Sequence, residues 1–500
     1  MNDQRKNPGV YINELSGFQN SIPVVATAVP VFIGYTQQTE LNGKALQNQA
    51  IGISSMEEYM AMFGGAYTPS YSLQVSPAGQ TGDVVVNGSA YNVNPASTVF
   101  YLYNSLLLFY QNGGGYCYVI SIGNYSAVPQ LGDFMNALPA IKEQPAITLV
   151  LAPDALALGN VYYTFINAAL EQCAELQNSM TLADVVGGNS SDMKLFLKQQ
   201  AGGTDPVSTF RANVQASLMC YGASYFPWLN TTIVQQSSLG FLNLSGGFAP
   251  YAEQPGSMSA ADYATMQDLL AQIKPGLTAQ QVQQIHHGLW NVSPNYKNIM
   301  SVILDKVNCL PVTPAVAGAM NTVDTNSGVW VAPANVSLAA VTSPTLIVSD
   351  TIQDWMNVDP VTGKSVNAIR YFNNMGTVIW GARTLDGNSN DWRYINVRRT
   401  IIMIEQTIKM IMQQYVFSPN NGNTWMAVNA SVTEFLAGFW QQGGLAGSKP
   451  ADAFSVSIGD GTTMTAQDIL NGYMVLMALV AVTHPAEFIV ITCTQQMAGD

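Results

Sequence analysis

Stretches of helical and of strand-like periodicity alternate over the first two thirds of the chain. Residues 29–35 form a continuous apolar run with the length of a buried strand, and Ser54 and Ser55 precede an amphipathic helix over residues 56–63. Further predicted strands are 116–122, 146–151, 182–186, 218–221 and 329–331. Further predicted helices are 102–111, 161–176, 192–199, 260–273, 279–287 and 295–307. This alternation predicts an α/β domain with a mainly parallel sheet.

Residues 66–98 interrupt the alternation. The segment is rich in Thr, Ser, Gly and Pro, and Asn87-Gly88 lies between two strand-like stretches. Asn-Gly is the favoured pair of a two-residue type I′ hairpin turn. The pattern therefore predicts a small β insertion.

The last 130 residues have a different character. A strand is predicted at 377–385, followed by a helix over 397–414 with isoleucine at core spacing. A second helix, 424–440, is followed by three strand-like runs at 453–458, 474–482 and 487–494. This order predicts an α+β C-terminal core domain. The first 36 residues are predicted to be extended, because Pro8, Pro23 and Pro30 prevent a long helix.

Charge is scarce in this chain. Only 10% of the 500 residues are charged, against about 25% in an average soluble protein, and the net charge is −13. With 18 Lys and Arg in total, the chain is a poor candidate for binding nucleic acid. A hydrophobic content of 48% argues against disorder. Because a lone monomer normally has mixed charges on its surface, the low charge content indicates that partners cover much of this one.

The cysteines and the apolar stretches indicate in which cellular compartment the chain assembles. Five cysteines lie far apart and form no CxxC or CxH pair, which predicts reduced, mostly buried thiols and assembly in a reducing compartment. The N-terminus has no apolar region typical of a secretory signal. The longest aliphatic stretch, 473–482, is shorter than the roughly 20 residues of a membrane-spanning helix, so no such segment is predicted.

The histidines do not suggest catalysis or metal binding. His286 and His287 are adjacent at the end of a predicted helix, where favourable charge at the helix C-terminus is the simpler interpretation. His484 lies just before Pro485 in a predicted turn. The sequence therefore predicts no metal site and no histidine general base.

Three short motifs come close to known sites without completing them. Residues 363–365 resemble the end of a phosphate loop but have Val358 where the first glycine should be. Residues 222–226 resemble the GxSxG nucleophile elbow around Ser224 but end in Phe226. Residues 386–397 match only the first ligands of an EF-hand loop. We therefore predict that the chain is not an enzyme and has no catalytic residues, metal or cofactor.

The cations form one local cluster. Only three acidic residues lie between residues 370 and 409, whereas this segment contains six cations. The cations are Arg370, Arg383, Arg393, Arg398, Arg399 and Lys409. Two interpretations remain open for this cluster. The cations either form ion pairs inside the chain or make an electrostatic contact with an acidic partner or a neighbouring subunit.

Eleven short stretches, in order along the chain, resemble those of one protein family. In the N-terminal half they are PGVYI at 8–12, TAV at 27–29, FIGYT at 32–36, NGGGYCYV at 112–119, LVLAPD at 149–154 and ASYFPW at 223–228. In the C-terminal part they are VIWGARTL at 378–385, WRYINVRR at 392–399, VFSPN at 416–420, WQQGGLAG at 440–447 and PAEFI at 485–489. Together they resemble the contractile tail sheath proteins of phage tails and phage-derived injection systems, and the insertion at 66–98 is most similar to the extracellular injection-system branch.

The resemblance implies a domain layout. Residues 1–28 would be an N-terminal linking arm, 29–370 an α/β sheath domain, and 371–500 a C-terminal core domain with a linking strand at about 486–497. In this family the terminal strands of one subunit complete a sheet in its neighbours. The implied arm strands contain Val10, Tyr11 and Ile12 at the N-terminus and Phe488, Val490 and Thr492 at the C-terminus. Two hinges would accompany the arms, at 15–23 and 483–485.

The resemblance also implies partners and a location. The chain would assemble with itself, an inner tube protein, baseplate and terminal cap proteins, with one or several sheath paralogues in a particle, but with no nucleic acid and no inserted membrane segment. The helix facing the tube would be 424–442, whose only charge is Glu434. Arg383, Arg393, Arg398, Arg399, Lys409 and Glu434 are the candidate electrostatic contacts. Assembly would take place in the bacterial cytoplasm, and the particle would be released or anchored at a membrane.

Two alternatives from other classes stay open on the sequence alone. A static shell protein shares the low charge content, and an α/β hydrolase-like enzyme would use Ser224 as its nucleophile.

Overall fold

The computed structural model describes residues 25–77, 79–190 and 205–487. The predicted helix 192–199, almost all of the predicted N-terminal arm and nearly all of the last predicted strand lie outside these residues. The six candidate arm residues also lie outside them: Val10, Tyr11, Ile12, Phe488, Val490 and Thr492.

Strands and helices are named here in chain order within the described residues. The strands are β1 (Pro30–Thr36), β2 (Glu40–Leu41), β3 (Lys44–Ala45), β4 (Ala50–Ile53), β5 (Tyr71–Val75), β6 (Val84–Val86), β7 (Ser89–Pro95), β8 (Cys117–Asn124), β9 (Leu149–Leu151), β10 (Met180–Asp184), β11 (Gly222–Phe226), β12 (Leu229–Thr231), β13 (Cys309–Leu310), β14 (Val336–Ser337), β15 (Val341–Pro344), β16 (Asn367–Phe372), β17 (Gly376–Trp380), β18 (Phe454–Ile458) and β19 (Leu476–Val480). The helices are α1 (Met56–Phe63), α2 (Leu102–Gln111), α3 (Leu131–Lys142), α4 (Tyr162–Leu176), α5 (Pro206–Asn213), α6 (Ala260–Gln272), α7 (Ala279–Val292), α8 (Pro294–Val307), α9 (Thr313–Ser327), α10 (Asp350–Asn357), α11 (Ile395–Gln413), α12 (Gly422–Gln441), α13 (Pro450–Ala453) and α14 (Ala466–Leu470).

A nine-stranded sheet forms the centre of the molecule, in the order β14-β17-β16-β11-β10-β9-β1-β8-β4. The strands from β16 to β8 in this order are parallel to one another. At one edge β4 pairs antiparallel with β8, and at the other β17 pairs antiparallel with both β16 and β14. Helices cover this sheet, and together they bury the largest apolar core. The predicted α/β domain with a mainly parallel sheet is confirmed.

Local signals placed several elements correctly. Helix α1 begins where the Ser55 side chain accepts a hydrogen bond from the Glu58 N–H, and it ends at Gly64 with φ +84°. Asn87 and Gly88 have φ values of +48° and +82° between β6 and β7, as a type I′ turn requires. The β insertion is therefore confirmed as a three-stranded sheet in the order β5-β7-β6.

Two predicted strands are wrong. Residues 219–221 form a 3₁₀ turn, and the strand begins only at Gly222. Residues 329–331 are irregular, and the apolar Val329 side chain is buried against the C-terminal helices instead of in a sheet. In both places an apolar run fills a core without being a strand.

The described residues form three separate apolar cores. The first surrounds the nine-stranded sheet, and the second joins the β insertion to helices α6, α7 and α8. The third lies between helices α11 and α12 and the β18–β19 hairpin. The predicted boundary at 370/371 falls within β16, and the following strand β17 belongs to the main sheet, so residues 371–380 extend the first unit.

The described residues contain no helix long and apolar enough to cross a membrane. Four cysteines are described and all are free: Cys117, Cys173 and Cys220 are buried, and Cys309 is half-buried.

Asp154 joins three elements of the first core. One of its carboxylate oxygens accepts the Tyr35 N–H at 2.7 Å, and the other accepts the N–H groups of Tyr101 and Leu102 at the start of α2. The carboxylate lies so close to β1 that a Cβ at Gly34 would come within 2.5 Å of it. The favourable charge at the α2 N-terminus adds to these bonds.

We expect Asp154→Asn to lower the free energy of unfolding by about 2–3 kcal/mol, because an amide nitrogen would face a backbone N–H that loses its acceptor. Denaturant titration at pH 8 measures this change. Asp268→Asn on the exposed face of α6 is the control, and it should leave the free energy of unfolding almost unchanged. Equal effects of the two substitutions would contradict the assigned role of Asp154.

Candidate functional site

The C-terminal unit consists of two long helices and a β-hairpin. The inner face of the hairpin packs on the third core through alternate residues of each strand: Phe454, Val456, Ile458, Leu476, Ala478 and Val480. Met477 pairs with Ser457 and Leu479 with Ser455, so these residues share the outer face. The side chains of Met477 and Leu479 are 53% and 62% exposed.

The hairpin leaves most of its backbone edges unpaired within the described residues, apart from a β-bridge between Leu445 and Val482 just after β19. Among the described residues, no third strand joins the β18–β19 sheet. A two-stranded sheet is only marginally stable alone, and an open edge with apolar side chains favours pairing with another strand. The arrangement is therefore suited to accepting a strand.

An apolar groove of about 860 Å³ runs beside the hairpin, between helix α11 and strand β19. Its lining includes Ile408 and Met412 from the helix and Leu476 and Ala478 from the strand. A strand paired with β19 would place alternate side chains toward this groove. The groove thus offers pockets in addition to backbone hydrogen bonds.

Phe417 lies at the end of the groove, in the loop between α11 and α12. Its side chain is fully exposed, and its φ of +66° is in the left-handed region. Both features are unfavourable for Phe in an isolated chain. Neighbouring Val416 is also exposed, at 59%. Phe417 belongs to the VFSPN stretch at 416–420 that resembles the sheath family, but it was not among the predicted contact residues, although an apolar pair just before Ser418-Pro419 in a loop was an available signal.

Arg399 links the start of the described chain to two helices. It is buried on α11 and donates to both carboxylate oxygens of Asp324 on α9, one of them at 3.0 Å. It also donates to the Thr27 carbonyl at 3.0 Å, while the Thr27 hydroxyl donates to Asp324.

Arg383 makes a similar arrangement at the other end. It is 4% exposed and donates to both oxygens of Glu487 at 2.9 and 2.7 Å. Asn357 and Tyr394 donate to the same carboxylate at 2.9 and 3.0 Å. Burial alone would raise the pKa of Glu487, but the hydrogen bonds from Arg383, Asn357 and Tyr394 outweigh it and hold the pKa below its usual value.

The third buried arginine, Arg398, lies between the rings of Tyr221 and Trp392, at 4.6 and 4.5 Å from the ring centroids. It pairs with Glu405 at 2.9 Å. In the described chain, Arg383, Arg398 and Arg399 thus form internal ion pairs, which favours the first of the two interpretations of the cation cluster for these three residues.

The remaining candidates are more accessible. Arg393 is half-buried and donates to the Ser389 carbonyl at 2.9 Å and to the Asn390 side chain. Lys409 is exposed beside the apolar groove, and Glu434 is exposed on α12. Neither Lys409 nor Glu434 has an ion-pair partner within the described ranges.

The structure does not assemble a catalytic site from the sequence candidates. Ser224 lies in the middle of buried strand β11, not at a strand–helix turn, so it does not form a nucleophile elbow. Helix α7 continues to Val292, and the interpretation of His286 as a charge at a helix end is therefore wrong. His286 is buried with its Nδ1 2.8 Å from the Tyr296 hydroxyl, and burial lowers its pKa to about 4. Within the described residues, no cluster of three or more His, Cys, Asp or Glu side chains is placed to hold a metal ion.

Comparisons with known proteins agree on one family. Residues 388–496, which include α11, α12 and the β18–β19 hairpin, match the phage tail sheath C-terminal domain family. No curated protein is significantly similar to the chain in sequence.

Solved structures match nearly the whole chain. The PVC sheath complex of an extracellular contractile injection system, in the contracted state, is 26% identical with a TM-score of 0.59, covering 98% of each chain. The helical sheath of the anti-feeding prophage (AFP), also contracted, is 26% identical with a TM-score of 0.59, covering 98% of this chain and 100% of that one. A chain of the AFP baseplate, in a six-fold symmetrised structure, is 26% identical with a TM-score of 0.59, covering 99% and 100%. The chain described here therefore has a C-terminal part that matches the phage tail sheath C-terminal domain family, and over nearly its whole length it is similar to the sheath proteins of extracellular contractile injection systems.

Proposed function

We propose that this chain is the subunit of a contractile sheath, which polymerises as stacked six-membered rings around an inner tube and shortens to drive the tube through a target envelope. The similarity to two sheath structures in the contracted state, over nearly the whole chain, supports this function. The six-fold symmetrised AFP baseplate supports the ring size. The static shell and hydrolase alternatives have no comparable support.

The open β18–β19 hairpin is the observation that best supports assembly by strand exchange. In this proposal, a terminal arm of one subunit pairs with the hairpin of another, with Val10, Tyr11 and Ile12 or Phe488, Val490 and Thr492 as the paired residues. Four to six backbone bonds at ~1 kcal/mol and a few buried side chains at ~1.5–3 kcal/mol each give on the order of 10 kcal/mol per arm before ordering costs. Such arms would stay paired with the neighbouring subunit while the folded parts of the subunits move.

The proposed partners follow from this function. They are further copies of the chain, an inner tube protein, baseplate and terminal cap proteins, and any sheath paralogues of the same particle. Arg393, Lys409 and Glu434 are the charged residues best placed to contact a tube or a neighbouring subunit, because they are the accessible members of the candidate set. The particle would resemble a phage tail, assembled in the bacterial cytoplasm.

Electron microscopy of the purified chain tests this function. We expect hollow cylinders whose end views have six-fold symmetry. Closed shells or flat lattices would contradict the proposal and favour a static shell protein.

A further inference from the structure

We infer that Arg399 and Arg383 act as positioning residues that hold the two terminal segments at Thr27 and Glu487, where these segments leave the folded part of the subunit. We call the two groups of contacts the N-terminal and the C-terminal clamp. Any bending of the arms would then take place outside Thr27 and Glu487. This inference rests on the proposed function, because it concerns how arms are held on a moving subunit body. It is carried by two independent groups of contacts, one at each end of the described chain.

The N-terminal clamp attaches residues 27–29 to helices α9 and α11 and to Thr148. The Arg399 guanidinium bridges the Thr27 carbonyl and the Asp324 carboxylate, and all three groups lie between α9 and α11. The Thr148 hydroxyl donates to the Thr27 carbonyl at 2.8 Å and accepts the Val29 N–H at 2.8 Å. The chain is therefore held by side chains on opposite sides immediately before β1 begins.

The C-terminal clamp fixes Glu487, which is the last described residue and the first residue of the strand predicted at 487–494. Its carboxylate receives four hydrogen bonds, two from Arg383 and one each from Asn357 and Tyr394. Arg383 is itself held, because its second terminal nitrogen donates to the carbonyls of Asn357 and Gly387. A bidentate pair supported from several sides fixes orientation as well as distance.

The segment leading to Glu487 is also attached to the body. Val482 forms a β-bridge with Leu445, and the Asn396 side chain donates to the Thr483 carbonyl at 3.2 Å. The His484 ring lies against the ring of Tyr394. Residues 483–485, which were predicted as a hinge, are therefore attached to the folded part of the subunit by these contacts, and the hinge stays a prediction.

The other ion pairs of the described chain show that the two clamps are unusual. Lys142–Glu175 and Lys449–Asp452 are exposed pairs of the kind that contributes little. Arg211–Asp359 is as deeply buried as the clamps, but it joins α5 to the loop after α10 within the body. This pair provides a control of similar burial at another position, although its single contact of 3.6 Å is longer than those of the bidentate clamps.

The clamps have a mechanical role in a sheath held together by exchanged strands. When the folded parts of neighbouring subunits move, force passes from each arm into its own subunit at the residue where the arm begins. A terminal segment held only by backbone contacts would detach from the folded part of its subunit one hydrogen bond at a time. A buried bidentate pair at that residue instead places the force on the folded core, where both helices and the sheet resist it.

The test compares four variants of the full-length chain. Glu487→Gln and Asp324→Asn each remove one charge from a clamp, and Arg383→Lys keeps the charge but loses the bidentate geometry. Asp359→Asn is the control. We expect all four to fold with lowered melting temperatures. Mean sheath length in electron micrographs should fall several-fold for the three clamp variants and stay unchanged for Asp359→Asn. Sheaths of normal length from the clamp variants, or an equal defect in Asp359→Asn, would overturn the inference.

Hydrogen exchange of the unassembled chain supplies a second measurement that does not depend on sheath formation. Peptides covering residues 26–31 and 478–487 should be protected at the Val29 N–H, which donates to Thr148, and at the Ala481 N–H, which donates to the Ala453 carbonyl, and Arg383→Lys should accelerate exchange in the second peptide. Rapid exchange in both wild-type peptides would overturn the clamps. Failure of the wild-type chain to form any sheath would instead overturn the proposed function, and hydrogen exchange would then decide the clamps alone.

Discussion

A chain that lacks residues 1–20 is expected to fold into a stable body that forms no long sheath. The three cores are built from residues between Val25 and Val482, and the N-terminal clamp begins at Thr27, so the deletion removes none of them. The proposed N-terminal arm residues Val10, Tyr11 and Ile12 are all lost. Circular dichroism and thermal unfolding should resemble those of the full-length chain, whereas electron microscopy should find single rings or monomers.

A full-length control separates the loss of the strand from the loss of chain length. Val10→Ser together with Ile12→Ser removes the apolar face of the arm and should also prevent long sheaths. Asn13→Ser alters the polar face and should not. Long, normal sheaths from the truncated chain would contradict the arm mechanism.

Phe417→Ala is expected to abolish or greatly shorten sheaths without destabilising the monomer. The side chain is fully exposed and the residue is in a left-handed conformation, so its removal takes no apolar surface out of a core. The substitution would instead remove one end of the groove beside β19 that is proposed to receive an arm. Thermal unfolding of the monomer and sheath length in electron micrographs measure the two effects separately.

Val361→Ala is the matched control for Phe417. Val361 is 88% exposed in a loop and does not line the groove, so its substitution should affect neither property. If Phe417→Ala assembled as well as Val361→Ala, the groove would not be the receiving site.

The sequence was most informative where a local signal and burial agreed. Helices α1 and α2 lie at the predicted residues because each combines an apolar stripe with glycines just after its last turn, and α1 also has a serine cap. Asn87-Gly88 fixed the hairpin of the insertion for the same reason. The parallel order of the main sheet followed from the alternation of helices and strands, although its antiparallel edge strands β14 and β17 did not.

The assembly site was less predictable because it depends on contacts between distant residues. The partners of Arg383 and Arg399 are 104 and 75 residues away in sequence, and nothing local indicates them. Charge counting therefore located the cation cluster but did not distinguish internal ion pairs from external contacts. The left-handed conformation of Phe417 is likewise a property of the loop between two packed helices, which residue type alone does not reveal.

The low charge content gains a physical meaning from this structure. Three of the six clustered cations are buried in internal ion pairs and serve the fold of the subunit. Contacts between subunits would then depend mainly on backbone pairing and on apolar surfaces such as Met477, Leu479 and Phe417. Assembly through such contacts should depend only weakly on salt concentration.

Electron microscopy of intact particles before and after triggering tests the central claim most directly. If this chain is the subunit of a contractile sheath, the particles must show hollow cylinders of two kinds, one longer and narrower and one shorter and wider, with the same number of subunits. Cylinders of a single length and diameter under all conditions would contradict contraction.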